Sequence, residues 1–228
     1  MAFTEADVEA RIGRTFRRKA LLREALTHAS VGEKQKSSID YERLEFLGDR
    51  VLGLVVAENL YARFPDEGED KLAPRLNALV NRDACARAAR RMDLGAVLLL
   101  SPAEERTGGR EKDTILADAC EALIAAVYLD GGLKAARELI VTFWAEEFVS
   151  MRDAPRDPKT ALQEWAAQRR RPNPVYAVVA RTGPDHAPHF VVEVRVDGLT
   201  AARGEGGSKR DAERAAARTM LETVGVDV

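Results

Sequence analysis

A multidomain chain is what the sequence predicts: an all-α unit followed by a smaller α+β unit of order α-β-β-β-α. Three observations predict it. Up to about residue 149 the apolar residues recur almost throughout at helical spacing. A polar stretch with two prolines, "SMRDAPRDPK" at 150–159, then interrupts the pattern. Beyond it, "VYAVVAR" and "HFVVEVRV" are β-rich runs set between helical segments. The expected boundaries are 1–149 for the helical domain, 150–157 for a linker and 158–228 for the second domain.

Thr4 can cap a first short helix, and "KALLREALTHAS" (19–30) gives a second. Asp40 suits the N-cap of a long helix that ends at "RFP", where Pro65 stops it. "DEGEDK" (66–71) reads as an acidic turn. Asn81 can cap "RDACARAARRMDLG", with Gly95 as the stop, and "RTGGREK" (106–112) is a polar loop. A helix over 113–130 ends at "DGG", and another follows from about 133 to 149. In the second domain a helix over 159–170 precedes the two β-rich runs and the turn "TGPDHAP" between them. A third short strand, "LTAARG", leads into an Ala-rich helix capped by Ser208.

With 228 residues and 46% hydrophobic content, the chain can bury real cores. Its net charge is only −2, divided as −3 over 1–156 and +1 over 157–228, so bulk charge advertises no polyanion partner. Any nucleic-acid reading must rest on local basic patches. Cys85 and Cys120 stand far apart in Ala-rich helical stretches and read as buried thiols in a reducing compartment. No CxxC pair supports a zinc or redox site. The acidic N-terminus has no signal-peptide core and no apolar run reaches membrane-spanning length, which predicts a cytoplasmic protein without a membrane partner.

The long helix begins "ERLEFLGD" (42–49), and its Glu42, Glu45 and Asp49 fall within about 60° on the helical wheel. Leu44, Leu47, Val51 and Val55 form the opposite, core-facing side, while Arg43 and Arg50 project elsewhere. A solvated acidic face and a carboxylate cluster both fit this stretch taken alone. The helix over 113–130 tips the balance by repeating the device. Asp118 and Glu121 share one face there, opposite Leu116, Leu123 and Val127, with small Ala122 and Ala125 admitting a neighbouring helix. Oxygen-only donors from two helices favour a hard divalent cation such as Mg²⁺ or Mn²⁺. A di-iron bundle would want Glu-x-x-His pairs, and none of the three histidines follows a Glu at that spacing. Phe46 breaks the wheel by lying beside Glu42 on the acidic side. A Phe tucked under a loop and a subunit contact both account for it, the second more sharply.

"ERLEFLGD" resembles the signature of the ribonuclease III family, and "ILADACEALIAAVYLDGG" (115–132) resembles that family's second catalytic block. The chain from Asp157 onward is similar to its double-stranded-RNA-binding domain. The resemblance implies an all-α endonuclease domain with metal ligands at Glu45, Asp49, Asp118 and Glu121, Asp49 and Glu121 being catalytic as well. It implies further acids around the cleft at Glu42 and Glu69, with Glu67 and Asp70 close enough to claim the second of these positions. It also implies a Mg²⁺ cofactor that Mn²⁺ can replace, and a homodimer in which Phe46 fits a socket of the partner. The activity implied is hydrolysis of double-stranded RNA to 5′-phosphate and 3′-hydroxyl ends with short 3′ overhangs, in processing of ribosomal precursors and messengers. A non-cleaving double-stranded-RNA-binding scaffold is the alternative. Arg50, where a small residue is common, and Asn77, where a basic one is, depart from the family pattern.

A-form RNA hides its base edges in a narrow major groove, so its readers use shape, 2′-hydroxyls and phosphates. Thr160, Gln163 and Glu164 on the first helix of the second domain offer short polar groups for a minor groove. His186 stands at the tip of the turn "GPDH". Lys209 and Arg210 open the last helix, where its positive end suits phosphate. His28 reads as structural and His189 as a strand residue.

Overall fold

The computed structural model describes residues 4–34, 41–151, 156–184 and 188–226. It divides into two units, Met1–Ala154 and Pro155–Val228. The first is helical and the second holds the three strands, in the predicted order. Asp40 and His186 lie outside the described residues.

In the first unit, α1 (Glu5–Ile12) starts at Thr4, whose backbone N–H and hydroxyl both donate to Asp7 (2.6 and 2.9 Å). Helix α2 spans only Lys19–Ala25, short of the expected 19–30. The chain leaves the helix because Thr27 pairs with Leu99, and Ala29–Lys34 winds into a 3₁₀ turn. Helix α3 (Glu42–Arg63) ends just before Pro65, as expected, and its Leu44, Val51, Leu52, Val55 and Val56 are buried. The 66–71 turn is shorter than expected, for α4 (Glu69–Leu79) begins inside it and carries Pro74 within its span. Arg75 of α4 is 2% exposed. It donates twice to Glu67 (2.8 and 2.7 Å) and once to the Met151 carbonyl (3.1 Å), and it lies 3.8 Å over the Phe64 ring.

Helix α5 (Arg82–Arg91) is capped by Asn81, whose Oδ1 accepts from the Ala84 N–H at 2.9 Å. Gly95 is not its stop. Asp93 takes the left-handed turn (φ 52°), and Gly95 sits in a 3₁₀ turn pressed against the Arg110 carbonyl. Helix α6 (Pro102–Arg106) precedes α7 (Asp113–Phe143), which is buried along most of its length and broken at Gly132, where φ is 76°. That break matches the expected end at "DGG", since only glycine takes this conformation without strain. Helix α8 (Ala145–Ser150) closes the unit. The core lies between α3, α5 and α7, with Leu52, Val55, Ala88, Leu123 and Ile124 all 0% exposed.

Asp130 ties the N-terminal segment to α7. Its buried carboxylate accepts from the backbone N–H groups of Arg17 (3.2 Å) and Arg18 (2.9 Å), with the Arg14 guanidinium 3.6 Å away. Burial pushes its pKa up, but those donors and Arg14 outweigh burial and hold it below the ordinary value. Asp130→Asn should cost about 1–3 kcal/mol in urea unfolding at pH 7, because an amide offers one acceptor oxygen where two N–H groups need one each. A depressed folded pKa contributes stability above the unfolded value and loses it as pH falls. The gap between wild type and variant should therefore close below about pH 4.

In the second unit, α9 (Pro158–Gln168) and α10 (Lys209–Thr223) cover one face of an antiparallel sheet of order β1 (Val175–Thr182), β2 (His189–Arg195), β3 (Ala202–Gly206). Leu162, Trp165, Val192, Val194, Ala216 and Met220 form its core. A Cβ on Gly204 would overlap the backbone of Ala215 and Ala216, so glycine lets β3 lie close to α10. Among the described residues no helix is long and apolar enough to cross a membrane.

A carboxylate-lined candidate active site

Glu45 and Asp49 stand one turn apart on α3, and Asp118 and Glu121 three residues apart on α7. The two helices cross where Gly48 meets Glu121: a Cβ on Gly48 would overlap the Glu121 carbonyl group and come within 3.1 Å of its Cα. That glycine, between the two acids of α3, draws the pairs together. Ala122 and Ala125, expected to admit the neighbouring helix, are both fully buried in the core.

All four carboxylates are partly buried, and the charges of Glu45, Asp118 and Glu121 interact. Burial raises the pKa of Glu45, and the charges of Asp118 and Glu42 raise it further. Burial also raises Asp118, opposed by the charges of Arg82 and His28. Glu121 is pushed up to about 7, chiefly by burial, with Glu45 and Asp118 adding to the rise and a thiol hydrogen bond and Arg50 opposing it. Unscreened negative charge in a half-buried place is unfavourable, and a cation relieves it. The donors are all carboxylate oxygens, which fits a hard divalent ion. Among the described residues, however, no three His, Cys, Asp or Glu side chains converge to cation-holding distances. Asp49 is paired with Arg50.

The Arg50 pairing corrects the sequence reading, in which Arg50 projected away from the acidic face. Its guanidinium forms an ion pair with Asp49 and lies 4.9 Å over the Phe46 ring. A long arginine folds back along its helix to reach both neighbours, so wheel angle alone misplaces it. Among the described residues Glu45, Asp118 and Glu121 have no basic ion-pair partner. Phe46 is 66% exposed, so no loop of the described residues covers it. Glu42 is exposed near Glu45.

Glu69 stands apart from the four acids. It opens α4 and lines a cavity of about 510 Å³ with Tyr61, Leu72 and Leu76, toward the other end of α3. Glu67 is paired with Arg75, so of the three acids that could fill the auxiliary position Glu69 and Asp70 are the ones left open.

Three residues in or beside the site escaped sequence reading. Gly48 matters only through what α7 brings against it. Cys85 of α5, read as an inert buried thiol, donates from Sγ to Glu121 Oε1 at 3.5 Å. Tyr41 is 2% exposed, its hydroxyl has no hydrogen-bond partner among the described residues, and the charges of Asp118, Glu45 and Glu42 raise its pKa after burial does. His28 is held as a structural residue, with Nδ1 2.8 Å from Ser30 Oγ and its ring edge-on to Tyr41.

In the second unit Thr160, Gln163 and Glu164 are exposed on one face of α9, and Lys209 and Arg210 are exposed at the start of α10. Among the described residues Lys209 makes only a long contact to Glu213 (3.8 Å). The first turn of α9 is fixed to α10 by Lys159–Glu213 (2.6 Å) and Asp157–Arg214 (2.9 Å), so both polar patches ride on one rigid pair of helices. His189 opens β2, as expected.

Residues 18–147 match a family model described as Ribonuclease-III-like, and residues 158–224 match one described as Double-stranded RNA binding motif. The chain is 56% identical over 220 residues to Ribonuclease 3 of Caulobacter vibrioides, covering 96% of this chain and 95% of that one. It is 52% identical over 218 residues to Ribonuclease 3 of Phenylobacterium zucineum, covering 95% and 91%. A solved nuclease domain of ribonuclease III from Campylobacter jejuni, in work on a region involved in dimer formation, is similar with a TM-score of 0.60. It is 40% identical and covers 64% of this chain and 99% of its own.

Proposed function

We propose that this chain, which belongs to the ribonuclease III family and is an endoribonuclease acting on double-stranded RNA, cuts with Glu45, Asp49, Asp118 and Glu121. The observation that carries the assignment is the pairing of two carboxylates on α3 with two on α7 across the Gly48–Glu121 contact. The family is metal-dependent, and the hard all-oxygen set supports Mg²⁺, with Mn²⁺ able to replace it. When bound, such an ion lowers the pKa of water and stabilises the departing 3′ oxygen.

The chain's own residues do the rest. Glu45, Asp49, Asp118 and Glu121 supply negative oxygens that hold the ion and align it with the scissile phosphate. The partial burial of Glu45, Asp118 and Glu121 excludes bulk water and strengthens every charge interaction there. Arg50, paired with Asp49 here, would have to release it for Asp49 to hold an ion, and would then be free to meet phosphate. Glu42 flanks the four acids, and Glu69 serves substrate at the cleft edge. Thr160, Gln163 and Glu164 meet the minor groove, while Lys209 and Arg210 meet the backbone at the N-terminus of α10. Ribosomal-precursor and messenger duplexes in the cytoplasm are the substrates this reading favours. The scaffold alternative has less support, since all four acids are present on the two helices that meet at Gly48 and Glu121.

A homodimer supplies two such sites, one per strand, and the exposed Phe46 beside them is the contact the reading assigns to the partner. Phe46→Ala should shift the dimer toward monomer in sedimentation at micromolar protein; an unchanged dimer would remove that role. Deleting 157–228 should weaken duplex binding, most sharply at physiological salt, because phosphate contacts carry a steep salt dependence. Some cutting of a long RNA duplex should survive at low salt. Loss of all cutting at both salts would mean that the helical unit cannot act alone.

A further inference from the structure

We propose that Cys85 is a positioning residue for Glu121, its thiol fixing which carboxylate oxygen is offered to the divalent ion. This rests on the assignment of Glu121 to the site. Cys85 is 0% exposed in the first turn of α5, a turn held by the Asn81 cap. Its Sγ lies 3.5 Å from Glu121 Oε1 and 3.9 Å from the Val80 carbonyl, so the nearer acceptor is the glutamate. Among the described residues it is the only hydrogen-bond donor to that carboxylate.

A glutamate held only by its backbone can turn about its last torsion and present either oxygen, or both. A donor on Oε1 removes that freedom and leaves Oε2 for the ion. Packing alone does not require sulfur here. The rest of the buried face of α5 is alanine (Ala84, Ala86, Ala88, Ala89), and a methyl group would fill much of the same space without donating. A thiol is a weak donor, but it is placed where no water competes with it. Groups that orient a metal ligand are typically worth 10–100-fold in affinity, and a thiol belongs at or below the low end.

The test uses the full chain. Mn²⁺ binding is measured by calorimetry without RNA, and the Mg²⁺ dependence of cutting is measured on a long duplex. Cys85→Ala and Cys85→Val both lack the donor but differ in volume, and Cys85→Ser restores a donor. Both donor-free variants should bind Mn²⁺ about three- to tenfold more weakly and need correspondingly more Mg²⁺ for half-maximal rate. Their KM for RNA should be unchanged, and their rate at saturating metal should stay within about twofold. Cys85→Ser should return toward wild type. The proposal is overturned if Cys85→Val binds Mn²⁺ like wild type, which makes volume the whole role, or if Cys85→Ser is as weak as Cys85→Ala. Glu121→Gln separates this from the larger reading: normal Mn²⁺ binding and cutting by that variant would remove Glu121 from the site. Its failure beside an unaffected Cys85→Ala would remove only the positioning role.

Discussion

Glu121→Gln is expected to lower the rate of duplex cleavage by about a thousandfold or more, a change of roughly 4 kcal/mol in barrier. Duplex binding should remain largely intact. The substitution keeps the side chain's shape and removes its charge, so what it deletes is the pull on a cation and not the packing of α7. Most of the groups assigned to RNA contact lie in the other unit, which is why binding and cutting should part company. Asp49→Asn should behave alike, with Arg50 losing its partner at the same time. Multiple-turnover cleavage alongside a filter-binding curve checks both, and undiminished cutting by either variant would sink the assignment.

The same substitution carries a second, opposite effect in chelator. Glu121 titrates near 7 in the folded protein, above the ordinary glutamate range. A group whose folded pKa is raised favours folding while protonated, so the metal-free protein should lose stability as pH climbs from about 4.5 to about 7. Gln has no charge to lose. Metal-free Glu121→Gln should therefore melt higher than wild type at pH 8 and nearly level with it at pH 5.

Gly48→Ala should be almost as damaging to cleavage and far more damaging to the fold. The added Cβ meets backbone, the carbonyl group of Glu121, and backbone cannot swing aside as a flexible side chain does. Helices α3 and α7 must separate along the middle of the core. Overpacking of this kind costs about 1–3 kcal/mol and occasionally more, and contact with a fixed carbonyl belongs at the upper end. Both carboxylate pairs shift with the helices, and displacement by about 1 Å is enough to cost about a hundredfold in rate. Urea unfolding and the rate at saturating Mg²⁺ read the two effects. A variant that unfolds and cuts like wild type would mean that the helices do not cross there.

How far the sequence could be read follows from the kind of information each feature needs. The acids of α3 and α7 were legible because helical periodicity puts them on one face whatever the rest of the chain does. The break at Gly132 was legible because paired glycines end a helix locally. Helix α4 was hidden by a local signal that a larger context overrides, the acidic turn. Once Arg75 is sealed between Glu67, Phe64 and the Met151 carbonyl, the helix is held from outside. The expected length of α2 failed for a related reason, since Thr27 finds its partner at Leu99, far along the chain. Gly48, Cys85 and the Arg50–Asp49 pair are invisible to any single-helix reading, because each is defined by what a neighbour brings to it.

Asp157 decides where the RNA-binding unit can be cut out as an isolated fragment. Its carboxylate accepts from the backbone N–H groups of Lys159 and Thr160 and from the Arg214 guanidinium. It thus serves as a latch at the very edge of the unit, one residue ahead of where the matched motif begins. A fragment trimmed to start at 158 would discard that latch, and its duplex affinity would understate what the intact molecule achieves.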